Sequence, residues 1–187
     1  MRLSILICTL DSRENTFFER LINNLRPQTG NPDVEVIVCK DDGKQTTGAK
    51  RNQLLQSAKG DYIAFVDDDD LVAPNYVELI HDAIQTNPDV IGMNLVMTVN
   101  GKKAERSYHS LNYKTWFDLP DPTFKGHRTY FRNPNHLNPV KREIALAVGF
   151  PNITEAEDKA YSAGILPLLK TEVKIDQPIY YYLFRSK

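Results

Sequence analysis

The chain has 187 residues, 41% hydrophobic and 25% charged, with a formal net charge of -1. That composition fits one soluble globular domain with a sizeable core, and the balanced charge excludes a general attraction to nucleic acid or anionic surfaces. Two cysteines exclude a disulfide framework.

Leu3 to Cys8 is a nearly continuous apolar run, as expected of a strand covered on both faces. It is too short and too soon followed by charge to be a signal peptide. Asn15 to Leu25 carries Phe17, Phe18, Leu21, Ile22 and Leu25 at helical spacing, and Val34 to Cys39 is a second strand. Cys8 and Cys39 fall in these two strands without metal-ligand spacing, which predicts buried thiols. Gly48 to Ala58 predicts a helix, Tyr62 to Val66 a third strand, Tyr76 to Ile84 a third helix and Asp89 to Val99 a fourth strand. This alternation predicts an α/β fold: a mostly parallel central sheet flanked by helices in a single domain.

After Asn100 the rhythm breaks. Gly101-Lys102 predicts a hairpin turn, and Ser107 to Arg132 mixes aromatics, prolines and basic residues without a period, as loops shaping a cleft would. A helix is expected from Pro139 through Ala147, stopped by Gly149 and Pro151, and another from Glu155 to Leu166. Two short strands, Glu172 to Ile175 and Ile179 to Phe184, close the chain. No stretch approaches the roughly 20 apolar residues of a membrane span. A cytoplasmic chain, compatible with peripheral membrane contact, is the expectation.

The chemistry concentrates at strand ends. Asp67 to Asp70 follow the third strand directly, where open α/β sheets bind ligands. Carboxylates this close repel one another unless a cation sits among them, and oxygen-rich clusters suit Mg²⁺ or Mn²⁺. Thr9, Asp11 and Arg13 follow strand one, Asp41-Asp42-Gly43 follow strand two, and Lys50-Arg51-Asn52 open the next helix. A parallel sheet brings all of these to one edge. There they suit a nucleoside diphosphate: carboxylates on base and ribose, a divalent ion on the phosphates, basic groups alongside. Singly, each also fits a turn or a helix cap.

Three other motifs fail. Gly43 to Gly48 has the spacing of a P-loop, but Ala49-Lys50 stands where Lys-Ser/Thr is required. No G-x-G-x-x-G occurs, and an EF-hand begun at Asp67 would place Leu71 and Val72 at positions needing a ligand and a glycine.

Leu3 to Thr9, Val38 to Gly43, Gly48-Ala49-Lys50-Arg51-Asn52 and Ala58 to Asp70 resemble the family 2 glycosyltransferases of the GT-A fold, and the likeness resumes at Pro139 to Glu143, Gly149-Phe150-Pro151 and Glu157-Asp158-Lys159. The resemblance implies an inverting, metal-dependent transfer of sugar from a nucleoside-diphosphate sugar, UDP-linked, to an acceptor hydroxyl. Residues 1–99 would bind the donor and 100–187 would supply the acceptor side and the base. Asp42 matches the aspartate that contacts uracil, Asp67 or Asp68 would face the ribose, and Asp69 is similar to the metal-binding carboxylate of the DXD motif. Arg51 matches a basic position beside the nucleotide, with Thr9, Asp11, Arg13 and Lys50 around it, and Asp158 is similar to the general base. The chain departs from the family at Thr9-Leu10-Asp11-Ser12, where many relatives have a tyrosine that stacks on the base.

The acceptor, whether glycan, lipid or protein, is not specified by these residues. With no extra domain to hold a long polymer, a partner or a homo-oligomer is expected to complete that side. His127 and His136 lie near the variable region and are assigned no role. Tyr113, Trp116 and Phe117 suit either a sugar platform or ordinary loop packing. A nucleotidyltransferase would carry a Gly-rich basic loop after strand one, which is lacking. A catalytically silent nucleotide-sugar or metal-binding module is the other alternative.

Overall fold

The computed structural model describes residues 2–185. The first strand, β1 (Leu3–Leu10), pairs in parallel with β2 (Val34–Asp41) and with β3 (Tyr62–Phe65). Between them run α1 (Glu19–Leu25), entered through a 3-10 turn and a π-helical turn at Glu14–Phe18, and α2 (Thr47–Ser57). The Thr46 hydroxyl caps α2 by accepting from the Ala49 N–H at 3.1 Å. Alternation along β1 divides the core. Leu3, Ile5 and Ile7 face Leu21, Tyr76 and Ile80 on one side, while Leu6 faces Leu54, Phe65 and Tyr161 on the other.

The acidic run follows β3. Beyond it come a two-residue strand, β4 (Leu71–Val72), then α3 (Tyr76–Ile84) and β5 (Val90–Val99). β5 turns back at Asn100 and Gly101, both with positive φ, into the antiparallel β6 (Lys102–His109). Two further strands, β7 (Phe117–Pro120) and β8 (Arg128–Arg132), pair antiparallel with each other, and β8 lies parallel to β6. The aperiodic stretch therefore extends the sheet, with loops at 110–116 and 121–127 between its strands.

Val140–Lys141 forms β9, wedged antiparallel between β3 and β5. The helix expected from Pro139 thus starts only at α4 (Arg142–Val148), because the preceding residues supply a sheet pair. After α5 (Glu157–Ile165), the two expected terminal strands are one, β10 (Glu172–Phe184), parallel to β5 with register shifts around Pro178. Pro178 has no N–H to give the ladder, which accounts for an irregularity there. The central order is β2-β1-β3-β9-β5-β6-β8-β7. Both thiols are free and half-buried rather than buried, Cys39 because β2 is an edge. Burial pushes the Cys8 thiol up to about 12.

Candidate active site

Because β1, β2 and β3 are parallel, their carboxyl ends reach the same rim. Thr9 Oγ1 donates to Asp68 Oδ2 at 2.7 Å, and Arg13 Nη1 donates to Asp68 Oδ1 at 2.6 Å, so both oxygens of this buried carboxylate are engaged. Lys50, also buried, donates to Asp41 Oδ1 at 2.7 Å and to the Thr9 carbonyl at 3.1 Å. It ties the first two strand ends together.

Arg51 crosses the rim. Its guanidinium reaches Asp67 Oδ1 at 3.0 Å and Glu157 Oε1 at 2.9 Å, with the rings of Phe65 and Phe150 within 5.7 Å and 5.4 Å. Asp67 Oδ2 faces His136 Nε2 at 3.2 Å. Burial alone would raise the Asp67 carboxyl, but His136 and Arg51 outweigh it and hold the group well below the usual carboxylate range.

On its other side His136 presents Nδ1, buried and without a hydrogen bond, 4.0 Å from Asp158 Oδ2. The loop that carries His136 is itself buried and satisfies its backbone with asparagines. Asn138 Oδ1 accepts from Asn135 N, Asn135 Oδ1 accepts from Leu137 N, and Asn138 Nδ2 donates to the Ile91 carbonyl. Asp158 stands in the first turn of α5, which the left-handed Ala156 (φ +64°) introduces.

Two cavities meet here. One of about 370 Å³ is walled by Thr9, Arg13, Lys50 and Asp67 to Asp69; the other, about 440 Å³, by Trp116, Arg132, His136, Asp158 and Tyr182. Arg51, Asp67 and Thr154 belong to both walls. Each is of a size that takes a small organic ligand.

Asp11 and Asp42 line neither cavity. Asp11 is exposed 3.8 Å from Lys40, and Asp42 is ion-paired with Lys44. Asp41, the last residue of β2, turns toward Lys50, and Asp42 follows in the bend that leads to Gly43. His127 is outside as well, with Nδ1 3.0 Å from the Ala104 carbonyl. Trp116 lines the larger cavity beneath Arg132, whereas Tyr113 and Phe117 pack with Phe131. His136, Glu157, Arg132 and Tyr182 are the site residues given no role from the sequence. The one local sign of His136 was the density of polar residues in Asn133-Pro134-Asn135-His136-Leu137-Asn138. His109, bonded to Ser107 and Asn138, is driven down to about 3 by burial and stays neutral.

Among the described residues no three His, Cys, Asp or Glu side chains converge as a self-sufficient metal centre. Asp69 nevertheless suits a shared one. Its carboxyl is raised by burial and by the charges of Asp67 and Asp68, while Arg13 and Arg185 approach only to 3.7 Å and 3.8 Å. A hard divalent ion held by one carboxylate and substrate phosphates fits that donor set.

Residues 42–145 match the model of Glycosyl transferase family 2. The chain belongs to that family. It is 26% identical over 159 residues to an uncharacterized glycosyltransferase of Haemophilus influenzae, covering 81% of this chain and 52% of that protein. It is 20% identical over 174 residues to a glucosyl-dolichyl phosphate glucuronosyltransferase of Haloferax volcanii, covering 80% and 55% respectively. This family 2 chain thus spans about half the length of both curated relatives. Among solved structures, S. aureus TarS 1-349 in complex with UDP-GlcNAc superposes with a TM-score of 0.71 at 16% identity, covering 100% of this chain and 60% of that one. The fold is shared with a GT-A glycosyltransferase.

Proposed function

We propose that this domain is a glycosyltransferase that moves a sugar from a nucleoside-diphosphate sugar, UDP-linked, to an acceptor hydroxyl with inversion. The observation that carries the reading is the pair of cavities joined at Arg51 and Asp67, with Asp69 in one wall and Asp158 in the other. The printed ligand of the TarS complex supports a UDP-sugar donor.

The diphosphate lies in the smaller cavity beside Arg13 and the acidic run, and the sugar points past Asp67 toward the larger one. The acceptor oxygen bonds to the anomeric carbon from the face opposite the diphosphate. The bond to the diphosphate breaks, and that group leaves with the electron pair. Asp158 takes the hydroxyl proton as general base, a role worth around 10²–10⁴-fold. His136 and Arg51 together keep Asp67 ionised, and Arg51 holds it in place. Bound at Asp69, Mn²⁺ or Mg²⁺ supplies Lewis-acid stabilisation of charge on the diphosphate. Binding of the acceptor falls to the cavity around Trp116 and Arg132. Membership of family 2 disfavours nucleotidyl transfer.

Asp158→Asn tests the assignment. Calorimetric titration with UDP-sugars, with and without Mn²⁺, is expected to show donor affinity within a few-fold of wild type while product formation falls by about 10²-fold or more. Full turnover in the variant removes Asp158 from the role. Failure of wild type to bind UDP-, GDP- or dTDP-sugars under either condition overturns the nucleotide-sugar reading.

A further inference from the structure

We propose that the outer face of the β6–β8–β7 extension docks on an anionic membrane surface. Strand register assigns the faces. Tyr108 and Phe117 both lie opposite Phe131, and Arg106 and Leu119 lie opposite Thr129, so these side chains share one face. Ser107, His109, Tyr130 and Arg132 belong to the reverse, which lines the larger cavity. On the outer face Phe131 stacks between Tyr108 and Phe117 at 5.7 Å and 4.9 Å. Tyr113 packs against Phe131 and Phe117, yet the outer rim stays open: Phe117 is 39%, Leu119 52% and Phe124 50% exposed. Exposed apolar side chains gathered on one sheet face mark an interaction site.

The charge identifies the occupant. Of the seven Lys and Arg in residues 102–132, Arg128 and Arg132 belong to the reverse by the same register, which leaves Arg106 on the outer face and four lysines at its margins. Arg106 lies over the Phe124 ring at 5.3 Å, and Lys102, Lys114 and Lys125 are exposed with no ion pair among the described residues. Aromatic and aliphatic tips among cations are the pattern of an interfacial membrane contact. A second copy of the chain fits less well. A twofold contact sets each face against itself and apposes the same cations, and Pro120 and Pro122 blunt the β7 edge against strand addition. The proposal does not depend on glycosyl transfer. If both hold, the cavity on the reverse of these strands opens beside the bilayer.

Sedimentation of the protein with vesicles of phosphatidylcholine, with or without phosphatidylglycerol, tests it. Binding is expected only to the vesicles containing phosphatidylglycerol and is expected to weaken with salt. The Leu119→Ser/Phe124→Ser variant is expected to partition about tenfold less or weaker still. Both side chains are half-exposed, so its melting temperature and its stabilisation by UDP-sugars should match wild type. Arg106→Glu/Lys125→Glu is expected to abolish the preference for phosphatidylglycerol. The proposal is overturned by no binding to either vesicle, by equal binding to both, or by a concentration-dependent dimer that the Ser variant dissociates.

Discussion

Asp70 differs from its three acidic neighbours in having no view of either cavity. It is buried against β10, where Oδ2 accepts from the Tyr180 hydroxyl at 2.8 Å and Oδ1 from the Leu183 N–H at 2.8 Å. The same Tyr180 oxygen accepts from the Asp67 N–H at 3.1 Å. One tyrosine therefore fixes the acidic loop to the last strand. Burial and the nearby Asp67 charge push the Asp70 carboxyl up to about 8 from an ordinary value of 3.8. Between those two values the folded protein holds a proton that the unfolded chain has released. The stabilisation is complete below the unfolded value and is lost as pH rises through the folded one. Asp70→Asn removes this titration. Across that window the wild-type unfolding free energy should decline relative to the variant, and the gap should stop widening above about 8. Urea melts of both proteins along a pH series measure it; parallel curves would exclude a raised Asp70.

The elements readable from the sequence were those whose pattern is local. Leu3 to Cys8 and Tyr62 to Val66 announced themselves as apolar runs, and Tyr76 to Ile84 as a helix of matching period. β4 and β9, at two residues each, are stabilised by partners distant in sequence, which no periodicity encodes, and the short β7 and β8 pair across a loop without a tight-turn signature. The candidate site divided in the same way. The acidic run, Arg51 and Asp158 could be read from their own segments, but His136 reaches Asp67 only because buried asparagines hold an irregular loop. Backbone proximity sets the remaining geometry at Gly48, whose N–H donates to the Ile153 carbonyl at 3.0 Å. A Cβ there would stand 1.9 Å from the Pro151 carbonyl oxygen, a backbone atom that cannot swing aside. Gly48→Ala should therefore destabilise by about 1–3 kcal/mol, seen as a lower urea midpoint with unchanged slope. Donor affinity should fall with it, since α2 carries Arg51 and the displaced loop leads to Thr154. A variant with the wild-type midpoint would show that α2 and this loop separate easily.

At the scale of the whole molecule, the sheet is continuous but the site is not. The acidic run and its basic partners come from the first strands, Asp158 comes from α5, and Arg51 joins them through Asp67 and Glu157. Burial raises the Glu157 carboxyl, with Arg51 opposing that rise. Arg51→Met keeps much of the side-chain volume between Phe65 and Phe150 but leaves two carboxylates without their cation. Breaking a buried pair from one side costs about 3–5 kcal/mol; here the lower end is expected, because His136 still faces Asp67. Arg51→Lys should recover only part of the loss, since an ammonium cannot span both carboxylates with the planar fork that Arg51 uses. Guanidinium melts rank the three proteins, and the order wild type, Lys, Met is the expected one. A Met variant as stable as wild type would mean that the two halves are held by the sheet alone, and that the ion pairs of Arg51 serve the site without serving the fold.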